Sequence, residues 1–127
     1  MVLGPLVTLA FRHDERDPDE VTTALGAASS SVHRPGDRPR AFPEMAVSDN
    51  AWFWKFDDAK KVPAAIDAML AGPLARETGV GQLRALGWRV EISVTLHPWS
   101  HYADILLLPE QMTALGRMGI PVDLFIP

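Results

Sequence analysis

The 127-residue chain contains no cysteine. Disulfides and thiolate catalysis are therefore excluded, and the expected location is cytoplasmic, where thiol-free chains are common. No apolar run approaches the roughly 20 residues that a membrane helix needs, so no membrane partner is expected. The N-terminal run Val2–Phe11 is broken by Gly4 and Pro5 and lacks a basic start. It reads as a first strand and not as a signal peptide. There is no basic stripe of the kind that tracks a phosphate backbone, which argues against nucleic acid. No GxGxxG, Walker loop, GxSxG or HExxH pattern occurs. No cofactor is expected, and the usual signposts of catalysis are missing.

What is present describes one globular domain over residues 1–127. Hydrophobic residues make up 47 % and charged residues 22 %, enough for one core without staples. The net charge is −4, and its distribution matters more than its size. Asp14, Glu15, Asp17, Asp19 and Glu20 fall within seven residues, with only Arg16 against them, which already accounts for −4. The other 11 acids and 11 bases cancel. One acidic lobe thus stands on an otherwise balanced surface.

Periodicity and punctuation divide the chain. Leu6–Phe11 reads as a strand. Asp17 can cap the next helix, Pro18 suits its first turn, Glu20 completes a capping-box pattern, and Gly26 ends it. Ser29–Val32 reads as a short strand, and His33–Asn50, with Pro35, Pro39 and Pro43, as a long loop. Ala51–Phe56 is an aromatic strand with Trp52, Trp54 and Phe56 on one face. Val62, Ile66, Met69 and Leu70 form a helical stripe that Gly72-Pro73 breaks. A shorter helix is predicted over Gly81–Leu86. Trp88–Leu96 alternates strictly between apolar and polar residues, the pattern of a strand with one buried face. His97–His101 reads as a turn and Tyr102–Leu108 as a returning strand. Pro109–Met118 follows as a helix with Met112 and Leu115 inward and Gly119 as its cap. Pro121–Ile126 closes as a strand.

This order predicts an α+β fold built of ferredoxin-like β-α-β units, a mainly antiparallel sheet with helices on one face. The other face would be left to solvent, to a partner, or to a second copy in a homodimer.

Four groups of residues are candidates for function. In the acidic lobe, Asp14 and Glu15 precede the helix and are not needed as caps. They could meet a cationic partner, while their neighbours serve the helix start. The loop after the second strand carries His33, Arg34, Asp37, Arg38 and Arg40. Its arginines could clamp a carboxylate or phosphate, or pair with Asp37 in a solvated loop. His97 and His101 are weak metal candidates, because no second ligand cluster accompanies them. Trp52, Trp54 and Trp88 read as core, and Trp99, in a polar turn, as the exposed aromatic best suited to a contact.

The sequence resembles the bacterial family catalogued as domain of unknown function 4279. The resemblance rests on Asp17-Pro18-Asp19-Glu20, Leu25-Gly26, His33, Gly36-Asp37, Trp52 or Trp54, Gly119 and Asp123, in that order along nearly the whole chain. It implies a bacterial α+β domain and carries no reaction, and some members of the family are associated with immunity-type genes. The expected function is a non-catalytic protein-interaction module, in the form of an immunity-type inhibitor that meets a cationic toxin. The alternatives are a small-molecule-binding or regulatory domain between the His33–Asn50 loop and the aromatic strand and, behind it, a metal-dependent enzyme.

Overall fold

A computed structural model describes residues 6–36, 49–56, 62–95 and 106–125. In chain order the elements are β1 (Leu6–His13), α1 (Asp19–Leu25), β2 (Ser31–His33), β3 (Asn50–Phe56), α2 (Val62–Ala71), α3 (Glu77–Ala85), β4 (Arg89–Thr95), α4 (Pro109–Met118) and β5 (Val122–Phe125). The five strands form one sheet in the order β2-β3-β1-β4-β5. Every pairing is antiparallel except β4 with β5, which is parallel. The α+β class and the mainly antiparallel sheet agree with the sequence reading.

The alternation along the strands decides where the core lies. In the register, Phe11 stands between Trp52 and Val90, Leu9 between Trp54 and Ile92, and Val7 between Phe56 and Val94. These apolar side chains share one face. They form a single cluster with Val21 and Leu25 of α1, Ile66 and Met69 of α2, Val80 and Leu83 of α3, and Leu115 and Met118 of α4. Trp52 is fully buried, meets Phe11 edge to face at 5.7 Å, and donates its indole N–H to Thr22 Oγ1 at 3.0 Å. A second, small cluster of Ala10, Ala51 and Phe53 lies on the opposite face and includes no helix residue.

α1 is fixed at its start by Asp17, whose Oδ1 accepts the Asp19 backbone N–H at 2.9 Å. Gly26, left-handed at φ 64°, ends the helix and returns its N–H to the Thr22 carbonyl. The capping box expected of Glu20 does not form. Its carboxylate turns instead to the Arg16 guanidinium, which grips it through two bonds of 2.7 Å, and to the Trp88 indole N–H at 2.8 Å. A fork of two charge-assisted bonds outweighs one neutral bond to a backbone amide. The arrangement ties α1 to the beginning of β4. It also holds the Glu20 pKa down at about 2, chiefly through Arg16 and then through Trp88.

α3 begins at Glu77, four residues before the predicted Gly81, so that Gly79 lies inside the helix. The glycine is there for contact. A Cβ at Gly79 would overlap the Ala24 carbonyl oxygen of α1.

Two further expectations are corrected. Met112 is 52 % exposed, and its neighbour Gln111 is the buried residue, at 1 %. Gln111 is inward because every polar atom of its side chain is satisfied. Nε2 donates to the Pro63 carbonyl at 2.9 Å and to Asp67 Oδ1 at 2.7 Å, and Oε1 accepts the Leu108 N–H at 3.0 Å. A buried amide with partners at each atom costs little, and it fastens α4 to α2. Of the predicted strand Tyr102–Leu108, only 106–108 are described. They are irregular, with Leu106 exposed, and lead straight into α4. Tyr102 and the predicted turn His97–His101 lie outside the described residues.

Gly79→Ala tests the α1–α3 contact. In an open helix the change would stabilise by about 1 kcal/mol. Here the obstacle is backbone, which cannot swing aside, and overpacking costs about 1–3 kcal/mol. A net loss of stability in urea unfolding is expected, and a midpoint equal to or above wild type would show that the helices do not touch there.

Glu20→Gln tests the Arg16–Glu20–Trp88 tie. The folded-state pKa of Glu20 lies below its ordinary 4.5, so its contribution is complete above about pH 4.5 and is lost as pH falls toward about 2. The variant should melt lower than wild type at pH 7, with the gap narrowing below about pH 4.5. A gap that is constant from pH 7 to pH 3 would assign the loss to packing instead.

Candidate functional site

The end of the sheet where β1 stops gathers most of the charge. β1 leaves the sheet at His13, β4 enters it at Arg89, β3 enters at Asn50 after Asp49, and β2 leaves at His33 before Arg34. The ladder aligns His33 with Ala51, Ala51 with Arg12, and Arg12 with Arg89. Segments far apart in sequence therefore deliver their charged residues to one corner.

Ion pairs gather these residues into two groups. Arg34 Nη2 lies 3.1 Å from Asp17 Oδ1 and 3.3 Å from Asp19 Oδ1. Arg89 Nη2 lies 3.1 Å from Asp14 Oδ1 and 3.8 Å from Asp49 Oδ2. Arg12 reaches Asp49 Oδ2 at 3.7 Å and Glu91 Oε1 at 3.8 Å. The Asp17 pKa is lowered first by the Asp19 backbone N–H and then by Arg34. The acidic lobe is thus partly neutralised, because Arg34 and Arg89 reach it from elsewhere in the chain. Most of these pairs are exposed, so each contributes little to stability. Their effect is to fix where the carboxylates point.

The second of these groups continues onto the sheet face opposite the main cluster. Arg12 sits over the Phe53 ring at 5.2 Å, a cation–π contact, and His33 meets the same ring edge-on at 4.9 Å. At the other side, the Glu91 pKa is raised, first by partial burial and then by the neighbouring Asp123 carboxylate, to which its protonated form donates a hydrogen bond, with Arg12 opposing.

Of the residues singled out from the sequence, Asp14, Glu15, His33 and Arg34 are brought together in this corner. Asp14 is paired with Arg89, and Arg34 with the start of α1. Among the described residues, Glu15 contributes only its backbone N–H to hydrogen bonding, and its carboxylate is unengaged. Asp37, Arg38, Arg40, His97, Trp99 and His101 lie outside the described residues. So does most of the loop that would border a ligand pocket beside the aromatic strand. The clefts between α1 and α3 are lined by Ala24, Arg76, Glu77, Thr78 and Gln82, and one of them also by Glu20 of the acidic lobe. Among the described residues, no three His, Asp or Glu side chains converge as metal ligands would.

Sequence reasoning passed over Arg12, His13, Asp49 and Arg89. Arg89 was legible as a wet-face residue of the alternating strand, but nothing local linked it to Asp14, 75 positions away. His13 carried one signal: it ends an apolar strand and directly precedes Asp14-Glu15-Arg16 and a capped helix.

No family model matches the chain, and no curated protein and no solved structure matches it at a significant level.

Proposed function

We propose that this chain is a non-catalytic protein-interaction module whose acidic corner docks a cationic protein partner, in the manner of an immunity-type inhibitor of a toxin. The observation that carries the reading is the convergence at one end of the sheet. Among the described residues, six carboxylates, Asp14, Glu15, Asp17, Asp19, Glu20 and Asp49, stand there against four guanidiniums, Arg12, Arg16, Arg34 and Arg89, a balance of −2. The side chains of Asp14, Asp17 and Asp19 are largely exposed. Their directions are set in advance by the arginines, so a partner need not order them on arrival, which lowers the cost of binding. A negative patch of fixed geometry speeds encounter with a positive one and selects its orientation. The order of motifs that resembles the domain of unknown function 4279 family supports the same reading and with it a bacterial origin.

Asp14 and Glu15 are the first contact residues under this reading. They precede α1, and neither is needed to hold it. The exchange Asp14→Lys, Glu15→Lys breaks one exposed pair with Arg89, worth about 0–1 kcal/mol, so the melting temperature should fall only slightly. Association with a partner identified by pull-down from the source organism should slow by about tenfold or more at low ionic strength. The difference should shrink as salt shortens the range of exposed charges to about 3 Å at 1 M. An unchanged association rate at low salt would remove the acidic corner from the interface, and a small molecule copurifying in place of a protein would favour the ligand-binding alternative.

A further inference from the structure

The His13 ring is held at both of its nitrogens. Nδ1 accepts the backbone N–H groups of Glu15 at 2.9 Å and Arg16 at 3.1 Å. Nε2 lies 3.0 Å from the Leu86 carbonyl oxygen. Two donors face Nδ1 and one acceptor faces Nε2, so a single neutral form satisfies the set, with its hydrogen on Nε2. Trp88 covers the ring at 5.2 Å between centroids. The turn that brings the Leu86 carbonyl so near depends on Gly87, at φ 94°, where a Cβ would stand 3.2 Å from Nε2. The ring therefore joins the β1–α1 turn to the α3–β4 turn.

We propose that His13 is a proton-operated latch on the turn that carries Asp14, Glu15 and Arg16. In the neutral ring the Nδ1 lone pair closes the turn by accepting two backbone N–H groups. A proton from solvent that binds Nδ1 uses that lone pair. The ring becomes a cation with two N–H donors, and Nε2 keeps its bond to Leu86. Two backbone N–H groups then face a third, and the turn must let go of the ring.

The charged groups beside the ring come from its own turn and from α1. Arg12 precedes it on β1, and Asp14, Glu15 and Arg16 follow it. Glu20 acts on it from α1, Asn50, its partner in the ladder, is neutral, and Arg89 shares with Arg12 the opposite face of the sheet. Glu20 stays ionised throughout the range in which imidazoles titrate, because its pKa is near 2. Its bonds to Arg16 and Trp88 persist in both states and keep α1 in place while the turn opens. Only the orientation of Asp14 and Glu15 changes. Since these are the proposed contact residues, the latch would regulate that surface, and this consequence rests on the interaction reading. The latch itself does not.

The test uses the isolated, isotope-labelled full chain between pH 8 and pH 5, with no partner. At pH 8 the ring nitrogen shifts should report hydrogen on Nε2. As the ring protonates, exchange protection of the Glu15 and Arg16 amides, measured against the intrinsic rate at each pH, should fall by about tenfold, the scale of one lost hydrogen bond. Both changes should share one midpoint. His13→Asn places a non-titrating acceptor two and three residues before the same amides, as in an Asx turn, and should hold their protection across the range. Glu91→Gln, which removes a carboxyl on the opposite face of the sheet, should leave the transition in place. Hydrogen on Nδ1 at pH 8, or amide protection that ignores the protonation of the ring, would overturn the latch in the wild-type protein alone. So would a His13→Asn variant that loses protection at the wild-type midpoint, or a Glu91→Gln variant that abolishes the transition. A working latch beside an unchanged association rate for the Asp14, Glu15 variant would leave the latch standing and remove only the interaction reading.

Discussion

The period-two alternation shared by β1, β3 and β4 is the constraint on which the rest of the structure depends. It places Phe11, Leu9 and Val7 between aromatic residues on one side and Val90, Ile92 and Val94 on the other, all on one face. Apolar surface of that extent has to leave water. Buried apolar residues from each of the four described helices join this one cluster. The polar halves of the same strands are thereby committed to the opposite face, and Arg12, Arg89, Glu91 and Asp123 arrive there as a consequence.

Helix α3 works as a strut between its neighbours. At its start, Gly79 lets it touch the α1 backbone, and the Arg76 guanidinium lies against Gly26, at the negative end of α1. At its other end, Arg84 donates to the Met118 carbonyl at 3.0 Å, the same service for α4. Glu77 and Arg117 join α3 to α4 a second time through a fork of bonds, which lowers the pKa of the glutamate. Helix ends expose unpaired carbonyls, and here an arginine from a neighbouring element meets them. The geometry of the α1 corner, and so of the acidic turn, follows from this packing.

The corner itself shows how little a local charge count says about a surface. Five acids and one base in seven residues become a patch in which Asp14, Asp17, Asp19 and Glu20 each have a guanidinium partner. Net charge survives, but its directions are imposed. At the centre of the same corner is His13, whose ring nitrogens meet the backbone of two separate turns.

The local regularities were legible in the sequence. The alternating strand, found as β4 at Arg89–Thr95, the helix Pro109–Met118 and its end at Gly119 each depend on neighbours within a few residues, and the structure has them. Where a residue's fate depended on a distant partner, the sequence was silent or misleading. Glu20 left its expected capping role for Arg16 and Trp88. Gln111 went inward in place of Met112 because Pro63 and Asp67 were waiting for its amide. Gly79, left outside the predicted helix, lies inside it and in contact with α1. The candidate site divides in the same way. The acidity of Asp14 and Glu15 was visible at once, but Arg34 and Arg89 reach the lobe from 15 to 75 positions away. Periodicity and capping are short-range physics, written in consecutive residues. Satisfaction of buried and charged groups is decided only when the fold brings their partners within hydrogen-bonding distance.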